Sequence, residues 1–167
     1  AYNLSYDLAE QSAIESILGS DISLGSRSSI SGISTLSGST TAKFGLGITR
    51  NSKCGYSSTA NINEVFELSL SILPRLADLN RPLDIIVVAA IGSSLFSVSP
   101  TGDLVPFSGN LAELVAFNQD MNLKQSYSVT LFSGSFSSPL GADIFIAYRT
   151  EEGELIYTPS PFVVIVS

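Results

Sequence analysis

Phe66-Glu67-Leu68-Ser69-Leu70-Ser71-Ile72 is the stretch on which the fold turns. Apolar and polar residues alternate strictly through it, a period of two that places Phe66, Leu68, Leu70 and Ile72 on one face of a strand. Glu67, Ser69 and Ser71 take the other face, so one side is buried and one is wet. The same alternation occurs upstream, where Phe44, Leu46 and Ile48 interleave with Lys43, Gly45, Gly47 and Thr49, and downstream, where Tyr127, Val129 and Leu131 interleave with Ser126, Ser128 and Thr130. Residues 83–91 are instead apolar nearly throughout. Their length and β-branched content argue for a central strand rather than a buried helix.

Turn chemistry separates further strands. Pro74 and Pro82 bracket a loop that cannot be strand interior. Leu95, Phe96 and Val98 form a short strand closed by Ser99-Pro100-Thr101-Gly102-Asp103, a sequence suited to a tight turn. Residues 104–107 follow, and Leu111, Leu114 and Val115 within residues 110–117 suit a helical turn or a short irregular piece. Residues 143–149 form another strand, and Glu151-Glu152-Gly153-Glu154 turns it back as a hairpin through Leu155, Ile156 and Tyr157. Pro159 and Pro161 break the chain before a last strand at residues 162–166. Seven to nine short strands with turn signals between them predict an all-β fold of two antiparallel sheets packed face to face, a β-sandwich; a Greek-key barrel is the alternative.

The first 41 residues differ in texture from residues 42–167, which are expected to hold the sandwich. Tyr2, Leu4, Tyr6 and Leu8 alternate with Asn3, Ser5 and Asp7 as a strand-like arm. Residues 10–18 carry Ala13, Ile14, Ile17 and Leu18 at spacings that suit one short helix ended by Gly19. The serine- and glycine-rich tract that follows reads as a connection between strands. Its scattered aliphatics, Ile22, Leu24, Ile30, Ile33 and Leu36, suggest that part of it orders against the subunit or a neighbour.

Composition removes several function classes. Among 167 residues there are 30 serines, no histidine and one cysteine, and 15 acidic side chains outnumber 8 basic ones for a net charge of −7. Without histidine there is no Ser-His-Asp triad, and one cysteine makes neither an intrachain disulfide nor a thiolate zinc cluster. No Gly-x-Ser-x-Gly elbow occurs. An acidic chain lacking a basic cluster is a poor nucleic-acid ligand, and the longest apolar run, residues 85–91, is far too short for a helical membrane span. No catalytic residue, metal ligand or cofactor is therefore expected, nor membrane insertion. Low charge with abundant Ser, Thr, Gly and Asn suits an exported protein, at the cell surface or beyond it after removal of a signal peptide. Asn3-Leu4-Ser5 is a glycosylation sequon, which matters only in a glycosylating route.

Phe96, Ser99-Pro100-Thr101-Gly102-Asp103, Pro106-Phe107-Ser108-Gly109-Asn110-Leu111, Ser133-Gly134, Gly141, Tyr148-Arg149, Gly153 and Leu155-Ile156-Tyr157 follow one another in an order that carries a family likeness. Residues 84–167 resemble a secreted β-sandwich module of large proteobacterial surface and adhesin-like proteins. Phe107 stands where such modules carry a tryptophan. The resemblance implies an extracellular, non-catalytic β domain and supplies no catalytic residue.

Few side chains stand out as sites. Asp84, Asp103, Glu113, Asp120, Asp143 and the Glu151, Glu152, Glu154 group read as solubilising carboxylates at strand ends. A calcium site, which needs about six converging oxygens, would draw on the last three. Cys54, in the polar loop of residues 50–61, is expected as a free thiol or an intermolecular link. Tyr2, Leu4, Tyr6 and Leu8 are the candidate subunit contact, since an alternating strand without a hairpin partner can complete a neighbour's sheet. The leading expectation is thus a structural subunit that self-associates into an extracellular fibre such as a pilus or fimbria. An adhesion module binding a glycan or a surface protein is the alternative, and an accessory domain of a secreted enzyme the next.

Overall fold

A computed structural model describes residues 29–50 and 53–167, with the backbone alone at residues 53–56. Thirteen strands form one continuous sheet: β1 (Ser29–Ser34), β2 (Gly38–Arg50), β3 (Lys53–Ser57), β4 (Thr59–Ala60), β5 (Phe66–Leu73), β6 (Pro82–Ile91), β7 (Ser94–Val98), β8 (Leu104–Pro106), β9 (Asn118–Asn122), β10 (Tyr127–Gly134), β11 (Leu140–Thr150), β12 (Leu155–Tyr157) and β13 (Phe162–Val166). The strand order is β10-β5-β2-β1-β12-β11-β6-β7-β8. Off this path, β13 pairs with β11 and β4, β3 with β2, and β9 with β6. All pairings are antiparallel except that of β13 with β4.

The sheet curls so that β10-β5-β2-β1 faces β12-β11-β6-β7-β8 across a single core, a sandwich-like half-barrel that fulfils the all-β expectation. Phe44, Leu46, Leu70 and Ile72 from one layer pack with Ile85, Val87, Ile146, Tyr148 and Phe162 from the other. The Phe44 and Tyr148 rings, one from each layer, lie 6.1 Å apart. The FELSLSI stretch is β5, and its burial alternates as its sequence does. At the corner where the sheet bends, a β-carbon on Gly32 would sit 2.6 Å from the Phe44 ring, so only glycine lets β1 close over the core. The β1–β2 register also slips there, between Ser31 and Ile33.

Three expectations change. The sheet begins at Ser29, inside the serine-rich tract, because Ile33 and Ser34 pair with Tyr157 and Ile156; residue 42 therefore lies within β2 and is no element boundary. Residues 50–61 are not one polar loop, since β3 returns along the end of β2 (Arg50 opposite Lys53) and places the Cys54 backbone in a strand. Four strands without a counterpart in the sequence reading, β1, β3, β4 and β9, raise the count above seven to nine. Asn118–Asn122 lacks apolar alternation and is held as a strand by pairing with β6. Residues 110–117 do contain a helical turn, a 3₁₀ turn at Leu111–Glu113 whose first amide Ala112 N is capped by Asn110 at 3.1 Å. The arm of Tyr2, Leu4, Tyr6 and Leu8 and the helix expected at residues 10–18 lie outside the described residues.

Candidate functional site

At one end of the sandwich the segment that crosses from β5 to β6 meets the β1–β2 turn and the β11–β12 turn, and a polar cluster joins all three. Arg75 is the hub. Its guanidinium reaches Asp78 through Nε (2.6 Å) and Nη2 (3.0 Å) and Glu154 through Nη1 and Nη2 (2.9 Å each). This is the two-pronged geometry in which Arg binds carboxylates most strongly. Asp78 is 2% exposed and also accepts from the Tyr148 hydroxyl at 2.6 Å. That hydroxyl in turn accepts from the Arg75 backbone amide at 3.2 Å. Glu154 accepts from Ser34 Oγ, which itself caps the amides of Leu36 and Ser37 at 3.0 and 3.1 Å.

The titration of the cluster follows from this bonding. Hydrogen bonds from Arg75 and then Ser34 lower the Glu154 pKa to about 2. Contacts with Glu154 and Asp78 push the Arg75 guanidinium above its ordinary value. Burial, reinforced by the hydrogen bond to Asp78, raises the Tyr148 hydroxyl. Each polar group here is bonded to another member of the cluster. The cluster is a clamp between the two layers.

The other expected carboxylates are dispersed. Asp84 pairs with Arg149 at 2.9 Å and accepts from the Asp120 amide at 3.1 Å. Asp103 accepts from Thr101 and Glu113 from Ser108, at 2.6 Å each. Glu152 meets Arg81 at 3.1 Å. Glu151, Glu152 and Glu154 therefore do not converge, because two of them answer different arginines. Among the described residues no three Asp, Glu, Cys or His side chains come together as a metal-binding group, and no helix is long and apolar enough to cross a membrane. The cluster escaped sequence reading because Tyr148 and Glu154 lie 70 and more residues from Arg75 and Asp78. The i, i+3 spacing of Arg75 and Asp78 between two prolines was its one local signal.

A concavity lies on the β7–β8 side. It is an open groove of about 570 Å³, lined by Leu95, Phe96, Pro106 and Phe107, with Ser93, Ser94, Ser108 and Glu113 around them. The sheet edges beside it are protected. Ser99 N donates to Asp103 O and Phe107 N to Leu95 O, at 2.9 Å each. Antiparallel alternation then turns the peptide groups of Leu104 and Pro106 outward, and Pro106 has no N–H to offer a further strand. At the opposite end of the path, β10 is bulged between Thr130 and Phe132. The Ser99–Asp103 turn lies against this bulge, with the position of a Gly102 β-carbon 3.8 Å from Leu131 O.

No protein-family model matches the chain, and no curated protein matches it. Among solved structures the chain is similar to the soluble domain of PmoD from Methylocystis sp. ATCC 49242 (Rockwell), at 11% sequence identity, with 75% of this chain and 91% of that chain covered and a TM-score of 0.39.

Proposed function

We propose that the chain is a non-catalytic binding module that works outside the cytoplasm and holds a partner against a preformed β surface. The observation that carries this reading is the groove beside the β7–β8 hairpin, where apolar Leu95, Phe96, Pro106 and Phe107 are edged by serine hydroxyls. Apolar walls with a few placed polar groups are the usual chemistry of recognition. The strongest carboxylates support the same reading, since Asp78 and Glu154 bond inward to Arg75, Tyr148 and Ser34 rather than into the groove. The extracytoplasmic setting rests on the serine-rich, weakly charged composition.

The fibre reading keeps one observation of its own, the alternation of Tyr2, Leu4, Tyr6 and Leu8. Against it stand the proline on β8 and the bulge on β10, which blunt the two ends of the main strand path. Sedimentation and electron microscopy of the full chain beside a chain lacking residues 1–9 separate the two. A binding module stays monomeric in both forms. Filaments that form from the full chain and vanish on truncation would replace this reading with the fibre.

A further inference from the structure

We propose that the outer strip of β13, β11, β6 and β7 at Val163, Ile165, Asp143, Ala90 and Leu95, beside the part of that face the chain itself covers at Ile86 and Ser97, docks a basic amphipathic helix of another polypeptide. The proposal rests on the binding-module reading and names its surface and its partner. Directly paired residues of adjacent strands share a face. Asp143 opposes Val163 on one side and Ala90 on the other, and Ala90 opposes Leu95, so these four form one row across the outside of the layer. Phe145, two residues along β11 from Asp143, lies on the same face, and so does Ile165, two along β13 from Val163. The outward positions of a sandwich strand are ordinarily polar. Here Val163 is 49% exposed, Ile165 43% and Leu95 36%, and the strip runs into the groove at Leu95.

Charge selects the sign of the partner. Residues 82–167 hold eight carboxylates, of which Asp84, Glu152 and Glu154 are answered by Arg149, Arg81 and Arg75, and the other five make no ion pair among the described residues. Asp143 lies exposed within the apolar row and makes no ion pair among the described residues. A second copy of the face would bring carboxylate against carboxylate, and an anionic lipid surface would be repelled. A partner with Lys or Arg beside an apolar stripe meets both features.

Backbone chemistry selects its conformation. The face presents side chains and no free peptide groups, and the nearest path end is blunted by Pro106. A ligand lying there must therefore satisfy its own N–H and C=O groups, which a helix does. Four strands about 4.8 Å apart span roughly 15 Å, the length of about ten helical residues.

The probe is a fluorescent 18-residue helical peptide with leucines on one side and lysines on the other, beside the same peptide with glutamates in place of lysines, each titrated with the full chain. The lysine peptide is expected to bind, and the glutamate peptide at least about tenfold more weakly. Val163→Ser with Ile165→Ser should weaken the lysine peptide about tenfold, and Asp143→Asn by a few-fold at low salt. Glu67→Gln, on the outside of the other layer, should leave it unchanged. Should the double variant fold poorly, Asp143→Lys carries the test and should abolish preference for the lysine peptide. Absence of lysine-peptide binding, or equal binding by all variants, which marks diffuse charge attraction, overturns the proposal. A monomeric chain that ignores the lysine peptide sinks the docking face alone, whereas filaments in the truncation experiment sink the module reading itself.

Discussion

Two strands from opposite layers, β5 and β6, bury their inner positions alike and differ on the outside. In β5 the core positions Phe66, Leu68, Leu70 and Ile72 alternate with outward Glu67, Ser69 and Ser71, so the strand records its own orientation. In β6 three consecutive residues, Ile85, Ile86 and Val87, are all buried. Ile85 and Val87 face the core, while Ile86 lies on the outside opposite the buried Ala147 of β11. A strict alternation is thus the mark of a strand whose outer side is solvated, and a continuous apolar run marks one whose outer side is covered as well, here at Ile86 and less so at Ala90. The Arg75 cluster joins the layers where they meet at one end.

The largest effect is expected at that joint. Asp78→Ala removes the carboxylate shared by Arg75 and Tyr148 and leaves a buried hydroxyl and a guanidinium short of a partner, a loss of about 3–5 kcal/mol in denaturant unfolding. A loss below about 1 kcal/mol would show that the layers hold without the clamp. Next come Leu70→Ala and Ile86→Ala, each expected to cost roughly 2–5 kcal/mol through lost burial and a cavity. The pair tests the contrast directly, since Leu70 points inward and Ile86 outward. An Ile86→Ala cost under about 0.5 kcal/mol would break it, because the outer side of β6 would then behave as solvated.

Acid titration gives a smaller, graded effect. The folded-state pKa of Glu154, about 2, lies below the ordinary 4.5, so the folded form favours the carboxylate. Its contribution is complete above about pH 4.5 and is lost as the pH falls from there towards 2. Glu154→Gln should flatten stability over that window; an unchanged acid limb would detach Glu154 from the clamp. Tyr148 has the opposite sign. Its pKa is raised, so its contribution holds below pH 10 and declines as the pH rises beyond that value.

The smallest effects concern two serines. Ser69 points away from the core on β5, and Ser69→Ala should stay within about 0.5 kcal/mol. Ser97 faces the covered side beside Val88, and its buried hydroxyl has no hydrogen-bond partner among the described residues. Ser97→Ala removes an unsatisfied polar group and should be neutral or stabilise by up to about 1 kcal/mol, read as a shift in denaturant midpoint. A loss at Ser69 as large as that at Leu70 would reverse the register of β5.

Legibility followed the range of the interactions. The sequence alternation of β2, β5 and β10 could be read off the chain, whereas β13 is apolar at all five positions although its burial alternates. The hairpin through Glu151–Glu154 was legible from its glycine and charges. Strands such as Asn118–Asn122 and Lys53–Ser57 owe their state to ladder hydrogen bonds with a partner and have no apolar period to show. The candidate surface was half visible. The run at residues 83–91 announced a central strand, while the unbroken apolar run of residues 162–166 did not tell outward Val163 and Ile165 from their core neighbours.

The sequence by itself determined the all-β class, the faces of the alternating strands, the sites of the tight turns and the lack of a histidine or of an intrachain disulfide, because each depends on residue type or on neighbours a few positions apart. Only the tertiary structure decided that the sheet is one curled surface rather than two, that its path ends are blunted at Pro106 and Leu131, and that Arg75, Asp78, Tyr148, Glu154 and Ser34 meet. Those outcomes depend on which distant strands lie side by side, and pairing across 70 or 120 residues leaves no period in the chain.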